Sequence, residues 1–209
     1  MFSQDQLNID LVIVAGGKGQ RFGSPKTLLM VKGKSLIEHS IDFFGCEWKT
    51  VTVVSHPSTI QELTQAINKK IQIVSGGKTR SESVRKGVLQ GLGNFVIVHD
   101  VARPFPPKDS IRKLLEAVSE GYDAGSFARP ISSSVCYIEK EIKNISRENL
   151  FEIQTPQIFR RSLLLELMGD DVTEETSLFF QSGYKVKMIQ TNEPNPKITW
   201  KEDLDLVNG

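Results

Sequence analysis

The chain has 209 residues, of which 39% are hydrophobic and 24% charged, and this composition predicts one large globular domain over residues 1–209. Its formal net charge is only +1, so we expect no general binding to nucleic acid or to a membrane surface. The first ten residues are polar and no apolar run approaches the roughly 20 residues that span a bilayer, so we expect a cytoplasmic protein.

Four short apolar runs, rich in β-branched residues, lie in the first half of the chain. They are residues 11–14, 51–54, 71–74 and 95–98, and each is bounded by glycine or polar residues. Such runs predict strands buried on both faces, which suits a parallel sheet. Helical segments fall between them, so we predict an α/β fold, a Rossmann-like three-layer sandwich with a mostly parallel central sheet.

Helix starts are predicted where a serine or threonine precedes glutamate or glutamine by three residues, the pattern of a capping box. Residues 110–118 predict a further helix that is closed by Gly121. Later in the chain, residues 160–168 and 173–183 predict two helices, and residues 185–189 a strand. The predicted capping pairs are Ser35 with Glu38, Ser58 with Gln61, Thr79 with Glu82 and Thr199 with Glu202.

An extended β-arm is predicted at about residues 132–150. Two short strands, at residues 134–138 and 141–145, are joined there by a charged turn. The apolar side chains of the arm, which include Tyr137 and Ile142, would need a partner surface. A second copy of the chain is the simplest partner, so we expect the arm to be used for dimerisation in a homodimer.

A glycine-rich, basic segment, residues 15–26, directly follows the first predicted strand. Open α/β sheets bind ligands at the carboxyl ends of their strands, and glycines let backbone N–H groups cradle an anion. The segment also carries three cations, Lys18, Arg21 and Lys26, which together could hold a triphosphate.

Two common phosphate-binding motifs do not fit this segment. A dinucleotide fingerprint would need glycine at position 22, which is Phe22. A Walker A loop ending at Ser35 would need glycine at position 28, which is Leu28. A nicotinamide dehydrogenase or a P-loop ATPase is therefore disfavoured.

Residues 15–26 resemble the signature loop of the sugar-phosphate nucleotidyltransferases. Four further segments occur in order, at residues 76–84, 98–105, 154–159 and 197–204. Together these segments resemble the 2-C-methyl-D-erythritol 4-phosphate cytidylyltransferases of the non-mevalonate isoprenoid pathway, from about residue 11 to residue 207. The resemblance implies that the chain transfers CMP from CTP to 2-C-methyl-D-erythritol 4-phosphate and releases pyrophosphate, with Mg²⁺ as cofactor.

The resemblance also implies roles for individual residues, although it leaves the metal ligands open. The implied catalytic residues are Arg21, Lys26 and Lys197. The implied nucleotide-binding residues are Ala15, Gly16, Gly17, Gly19, Gly77, Arg80 and Ser83. The implied substrate-binding residues are Asp100, Arg103, Ser134 and Arg147, the last of which would reach across a dimer to the partner's substrate.

Several alternatives remain open at this stage. An ion pair between Asp100 and Arg103 would give these two residues a structural role instead of a substrate-binding one. Ser133 stands where the family usually carries aspartate, and the related D-ribitol 5-phosphate cytidylyltransferases share several of the segments. D-ribitol 5-phosphate or another polyol phosphate is therefore an alternative acceptor. A different nucleotide, or a non-catalytic nucleotide-binding protein, is also possible.

Overall fold

The computed structural model describes residues 8–17, 22–67, 70–169 and 174–208. Its strands, in chain order, are β1 (Ile9–Ala15), β2 (Met30–Val31), β3 (Lys34–Ser35), β4 (Val51–Ser55), β5 (Gln72–Ser75), β6 (Phe95–Asp100), β7 (Ala124–Pro130), β8 (Val135–Ile138), β9 (Ile142–Ile145), β10 (Phe151–Arg160) and β11 (Val186–Gln190). The helices are α1 (Leu36–Phe44), α2 (Ile60–Ala66), α3 (Arg80–Leu89), α4 (Ser110–Ser119), α5 (Arg161–Leu167), α6 (Glu175–Gln181) and α7 (Asp203–Asn208). Within these residues, no helix has the length and apolar character that a bilayer crossing needs.

Seven of the described strands form one central sheet, in the order β11-β7-β10-β6-β1-β4-β5. Strand β10 runs antiparallel to β6 and to β7, whereas the other neighbouring pairs in the sheet are parallel. The predicted mostly parallel sheet is therefore confirmed. Strands β7 and β10 were not predicted. Strand β10 contains two buried glutamines, Gln154 and Gln157, and polar residues of this kind are more typical of a loop.

Helices cover both faces of this sheet. Along β1, Leu11 and Ile13 pack into a core that also contains residues of α1 and α4. The alternate residues Val12 and Val14 pack on the opposite face, with residues of α3, α5 and α6. This alternation follows from the period of two in a strand. The predicted three-layer sandwich is thus confirmed, and both faces of β1 are buried.

Strand β5 differs from the prediction because it lies at the edge of the sheet. It pairs with β4 on one side, and its four residues are half-buried or exposed. The prediction of a strand buried on both faces is therefore wrong for this run, although correct for β1, β4 and β6.

Two of the four predicted helix starts are also wrong. Ser58 lies inside a short 3₁₀ turn, Pro57–Thr59, whose N-cap is His56, and α2 follows it. At the C-terminus, Thr199 is not the cap of α7, because that helix begins only at Asp203, whose Oδ2 accepts the Thr199 backbone N–H at 2.6 Å. The capping box of Ser35 with Glu38 is present as predicted.

The predicted arm is a two-stranded antiparallel hairpin of β8 and β9, separate from the central sheet. Its large apolar side chains are exposed, with Ile138 at 68% and Ile142 at 73% of full exposure. The hairpin agrees with the sequence prediction, while its use in dimerisation stays a prediction.

Candidate active site

A cavity of about 500 Å³ opens at the carboxyl ends of β1 and β6, beside the start of α3. The location is the one expected for ligand binding in an open α/β sheet. Six residues predicted to bind nucleotide line it, namely Ala15, Gly16, Gly17, Gly77, Arg80 and Ser83. The predicted catalytic lysines Lys26 and Lys197 and the predicted substrate ligand Asp100 line it as well. Gly19 and Arg21 lie outside the described residues.

Two glycine-containing loops approach each other closely on one wall of the cavity. A Cβ atom added to Gly16 would lie 3.1 Å from Oγ of Ser83 and 3.3 Å from Cα of Gly76. A larger residue at Gly16 would therefore crowd the place where the loop after β1 meets the loop after β5. The backbone N–H of Gly77 donates to Oγ of Ser83 at 2.9 Å, and that hydroxyl donates to the carbonyl of Thr79 at 2.9 Å. These two hydrogen bonds stabilise the conformation of the loop after β5.

The start of α3 is capped at the edge of the cavity. Oγ1 of Thr79 accepts the backbone N–H of Glu82 at 3.1 Å, as predicted. The Glu82 carboxylate in turn accepts the backbone N–H of Lys78 at 2.7 Å, one residue before the position of a regular capping box. The N-terminus of a helix carries a partial positive charge, which favours an anion in the neighbouring cavity.

Charged groups meet around Asp100 at the carboxyl end of β6. Its Oδ1 lies 3.0 Å from Nε of Arg80, and its Oδ2 lies 2.6 Å from Nζ of Lys197. Burial alone raises the pKa of the Asp100 carboxyl, but Arg80 and Lys197 outweigh it and hold that pKa well below its usual range. Asp100 is therefore ionised at neutral pH, and it holds two cations on the cavity wall.

Arg80 has a second carboxylate partner that the sequence analysis did not identify. Its Nη1 lies 2.7 and 2.6 Å from the two carboxylate oxygens of Glu175, in the first turn of α6. The two residues are 95 positions apart in the chain, so no local pattern could indicate the pair.

Lys26 and the segment around Ile198 are joined across the cavity. Nζ of Lys26 donates to the carbonyl of Ile198 at 2.6 Å and lies 5.7 Å from the centre of the Phe22 ring. The backbone N–H of Ile198 donates to the carbonyl of Ala102, just after β6. The C-terminal segment therefore brings Lys197, from a distant part of the sequence, to the cavity that Lys26 also lines.

Arg103 does not lie on the cavity wall. Its side chain is buried, its Nη1 donates to the carbonyl of Asn195 at 2.5 Å, and its Nη2 lies 2.8 Å from Oε1 of Glu152. The structural alternative of an Asp100–Arg103 ion pair is wrong, since Arg103 pairs with Glu152 instead. Nε of Arg103 is buried without a hydrogen-bond partner in the described part of the chain. Its predicted role in substrate binding stays a prediction.

Ser134 and Arg147 lie on the arm and do not line the cavity of their own chain. Both residues are exposed, and Arg147 donates to the carbonyl of Ser132. A role at the partner's cavity is compatible with this exposure and stays a prediction.

A buried histidine, which the sequence analysis did not single out, supports the backbone of Asp100. His99 is fully buried, and burial lowers its pKa to about 4, so the ring is neutral at neutral pH. Its Nε2 lies 3.0 Å from the carbonyl of Arg103, and its Nδ1 lies 3.4 Å from Oγ1 of Thr155. The same Thr155 hydroxyl oxygen accepts the backbone N–H of Asp100 at 3.0 Å. The end of β6 is thus held in a single arrangement.

The cavity offers little for a metal ion bound by protein side chains alone. Across residues 8–17, 22–67, 70–169 and 174–208, no cluster of three or more histidine, cysteine or acidic side chains could hold a metal. Mg²⁺ in nucleotide sites is usually held by one or two carboxylates together with substrate phosphates. Asp100, which lines the cavity, would be the carboxylate of such a site, in exchange for one of its contacts with Arg80 and Lys197.

A model of the family described as IspD, 2-C-methyl-D-erythritol 4-phosphate cytidylyltransferase, matches residues 9–208. The chain belongs to the IspD family. Members of the IspD family are cytidylyltransferases, so the predicted family and class of enzyme are confirmed.

Individual members of the IspD family align with nearly all of this chain. The 2-C-methyl-D-erythritol 4-phosphate cytidylyltransferase of Thermosipho africanus is 34% identical over 215 residues, which cover 94% of this chain and 95% of the relative. The bifunctional enzyme IspD/IspF of Granulibacter bethesdensis is 35% identical over 212 residues. That alignment covers 96% of this chain but 56% of the relative, so the chain spans little more than half of the bifunctional protein.

Solved IspD structures share the fold. The crystal structure of 2-C-methyl-D-erythritol 4-phosphate cytidylyltransferase from Thermus thermophilus superposes with a TM-score of 0.79 at 26% identity. The superposition covers 94% of this chain and 96% of that structure. The α/β architecture described above is therefore that of the IspD family.

Proposed function

We propose that this protein transfers CMP from CTP to 2-C-methyl-D-erythritol 4-phosphate and releases pyrophosphate. The supporting observation is a cluster of three cations, Lys26, Arg80 and Lys197, around a glycine-lined cavity at the carboxyl ends of parallel strands. Such a cavity suits a polyanion, and the IspD relatives that match nearly full-length are named for this reaction.

In the proposed complex, CTP spans the two glycine-containing loops. The resemblance assigns cytosine and ribose to the loop of Gly77, Arg80 and Ser83, next to the positive end of α3. The triphosphate then lies along the loop after β1, where Gly16 and Gly17 allow backbone N–H groups to approach it. Lys26 follows in the same segment and lines the same cavity.

The proposed reaction is an in-line substitution at the α-phosphorus of CTP. A phosphate oxygen of the acceptor forms the new P–O bond, and the bond to the bridging oxygen of the leaving pyrophosphate breaks. The nucleophile is already anionic near neutral pH, so no strong general base is needed. Catalysis therefore depends on bringing two polyanions together and on neutralising the charge of the transition state.

The two lysines are suited to this neutralisation. In the free protein, Lys197 is paired with Asp100, and Lys26 donates to the Ile198 carbonyl. Phosphate oxygens would take over the Lys26 donor when CTP binds, since a hydrogen bond to an anion is stronger than one to a neutral carbonyl. For Lys197, the triphosphate would compete with the single charge of the Asp100 carboxylate. Mg²⁺ bound with CTP would add positive charge at the phosphates, with Asp100 as its candidate protein ligand.

The acceptor site is proposed to be shared between two subunits. Asp100 provides a carboxylate for acceptor hydroxyls on one side, and the arm of a partner chain would provide Ser134 and Arg147 on the other. The exposed apolar side chains of the arm, Tyr137, Ile138 and Ile142, support an association of this kind.

Pyrophosphate release from CTP and Mg²⁺ tests the function, with 2-C-methyl-D-erythritol 4-phosphate and D-ribitol 5-phosphate compared as acceptors. We expect turnover with methylerythritol phosphate, and slower turnover when UTP or GTP replaces CTP. A reaction without acceptor is the control for CTP hydrolysis. Preference for ribitol phosphate would overturn the proposed acceptor, and the absence of pyrophosphate release with both acceptors would overturn the proposed activity.

A further inference from the structure

Four charged side chains form a continuous row from behind the cavity to its wall. Both carboxylate oxygens of Glu175 lie within 2.7 Å of Nη1 of Arg80, and Nε of Arg80 lies 3.0 Å from Oδ1 of Asp100. Oδ2 of Asp100 lies 2.6 Å from Nζ of Lys197. Acids and bases alternate along the row, so their formal charges cancel.

Glu175 differs from the other three members because it lies outside the cavity. Its side chain is fully buried, and it is absent from the cavity lining. The helix that carries it is capped by the neighbouring Glu174, whose carboxylate accepts the backbone N–H groups of Thr176 and Ser177. Glu175 is therefore not needed as a cap, and within the described residues its hydrogen-bond partner is Arg80. Because the hydrogen bonds of this fully buried carboxylate go to a residue of the cavity, Glu175 can affect a bound ligand by acting on Arg80.

Arg80 keeps part of its hydrogen-bonding capacity for a ligand. A guanidinium has five N–H donors, and the contacts with Glu175 and Asp100 use the three on Nη1 and Nε. The two N–H donors of Nη2 have no partner in the described part of the chain, and the side chain is 31% exposed on the cavity. Because carboxylates hold two sides of the planar group, its remaining edge has a fixed orientation, which reduces the entropy lost on binding.

We propose that Glu175 is a positioning residue for the nucleotide, which fixes Arg80 so that Nη2 donates to CTP. This role rests on the proposed function, since CTP is taken as the ligand. Without the Glu175 carboxylate, Arg80 would keep its charge but lose the contact that sets its orientation. Arg80 would then compete with Lys197 for Asp100, so its free edge would no longer be held toward the nucleotide.

Calorimetric CTP binding and steady-state kinetics of Glu175→Gln test this role. We expect the Kd and the KM for CTP to rise by about tenfold, the value of one charge-assisted hydrogen bond, with a much smaller change in the KM of the acceptor. The matched control is Glu174→Gln, which removes the same charge from the neighbouring position. It should lower the melting temperature through the lost cap but leave the Kd for CTP within about twofold of the wild-type value.

A double-mutant cycle with Arg80→Gln separates positioning from a general structural effect. If Glu175 acts through Arg80, Glu175→Gln should weaken CTP binding no further once Arg80 is already glutamine. The double variant should also melt higher than Glu175→Gln alone, because the arginine that has lost its contact with the Glu175 carboxylate is then replaced by a neutral side chain. This comparison with Arg80→Gln remains available if Glu175→Gln alone fails to fold.

The outcomes are distinguishable. Equal weakening of CTP binding in both backgrounds, or a lower melting temperature with unchanged CTP affinity, would overturn the positioning role. If the wild-type protein and Glu175→Gln bind and turn over CTP equally well, this role is overturned and the proposed function is left intact. A wild-type protein that binds no CTP would overturn both.

Discussion

Nζ of Lys197 lies 2.6 Å from Oδ2 of Asp100, although the two residues are 97 positions apart in the chain. The pair joins the end of β6 to the C-terminal segment at the wall of the cavity. Asp100 thus combines two tasks, since it restrains a cation that is proposed to act on phosphate and offers a carboxylate to acceptor hydroxyls.

Asp100→Asn tests both tasks. The amide keeps the shape of the side chain but removes the negative charge that holds Arg80 and Lys197, so CTP should bind more weakly as well. We expect kcat/KM for the acceptor to fall by about 10–100-fold, because a hydrogen bond to a charged group is lost. Parallel measurements of CTP affinity and acceptor kinetics check this.

Asp109→Asn is the control for Asp100→Asn, since Asp109 pairs with Arg112 at an exposed position outside the cavity lining. Weaker CTP binding in Asp100→Asn with unchanged acceptor kinetics would contradict the assignment of the carboxylate to the acceptor.

Lys26→Ala should reduce turnover by roughly 10²–10³-fold, the usual effect of removing one donor that stabilises developing charge. We expect this effect because Lys26 lines the cavity and lies in the segment proposed to hold the triphosphate. Pyrophosphate release at saturating substrates measures the effect. Lys187→Ala is the control. It removes a lysine of β11 that is paired with Glu120, and it should keep wild-type turnover. A near-normal rate in Lys26→Ala would remove this residue from the mechanism.

The buried His99 predicts a loss of stability on the acid side of neutrality. Because burial lowers its pKa from 6.5 to about 4, the unfolded chain takes up a proton between these values while the folded chain does not. The stabilisation is therefore fully present above pH 6.5 and is lost as the pH falls to about 4, with a total of about 3 kcal/mol. Urea denaturation at several pH values between 7 and 4 would measure it.

His99→Gln should flatten this dependence, since glutamine does not titrate in that range. Leu63→Ala removes a buried, non-ionisable side chain and is the matched control. It should lower the free energy of unfolding at every pH and keep the wild-type slope. An unchanged slope in His99→Gln would show that other groups cause the acid sensitivity.

The elements that were predicted correctly carry their signals locally. Leu11 to Val14 form an apolar run with glycines after it, and Ser35 with Glu38 is a contiguous capping pattern, so both were identified from short windows. The cavity follows from the rule that ligands bind at the carboxyl ends of parallel strands. The loop of Gly16 and the segment of Asp100 both line this cavity.

The features that were missed depend on contacts between distant residues. Strand β10 contains Gln154 and Gln157, which are buried because they lie in the middle of the sheet, and no apolar period marks them. The partner of Arg80 is Glu175, which lies in a helix that joins the site only after folding. Arg103 was considered as an ion-pair partner of the nearby Asp100, yet its side chain pairs with Glu152, 49 positions away in the chain.

Gly87→Ala should destabilise the protein even though alanine is a better helix former than glycine. A Cβ atom at this position of α3 would lie 2.5 Å from Cγ1 of Val12 and 2.7 Å from Cγ2 of Val54. Overpacking of this kind costs about 1–3 kcal/mol, which exceeds the gain of about 1 kcal/mol in helix propensity. Chemical denaturation measures the difference. Leu89→Ala, at an exposed position of the same helix, should change the stability by less than about 1 kcal/mol.

Subunit complementation tests whether Arg147 acts across a dimer. Arg147→Ala and Lys26→Ala should each be nearly inactive as homodimers, because one loses the arm contact and the other a cavity lysine. A heterodimer, isolated through two different affinity tags, pairs the intact cavity of one subunit with the intact arm of the other. Since one of its two sites is complete, it should recover about half of the wild-type activity. If Arg147 served its own chain, neither site would be complete and the heterodimer would be inactive. A wild-type protein that elutes as a monomer would contradict the shared site directly.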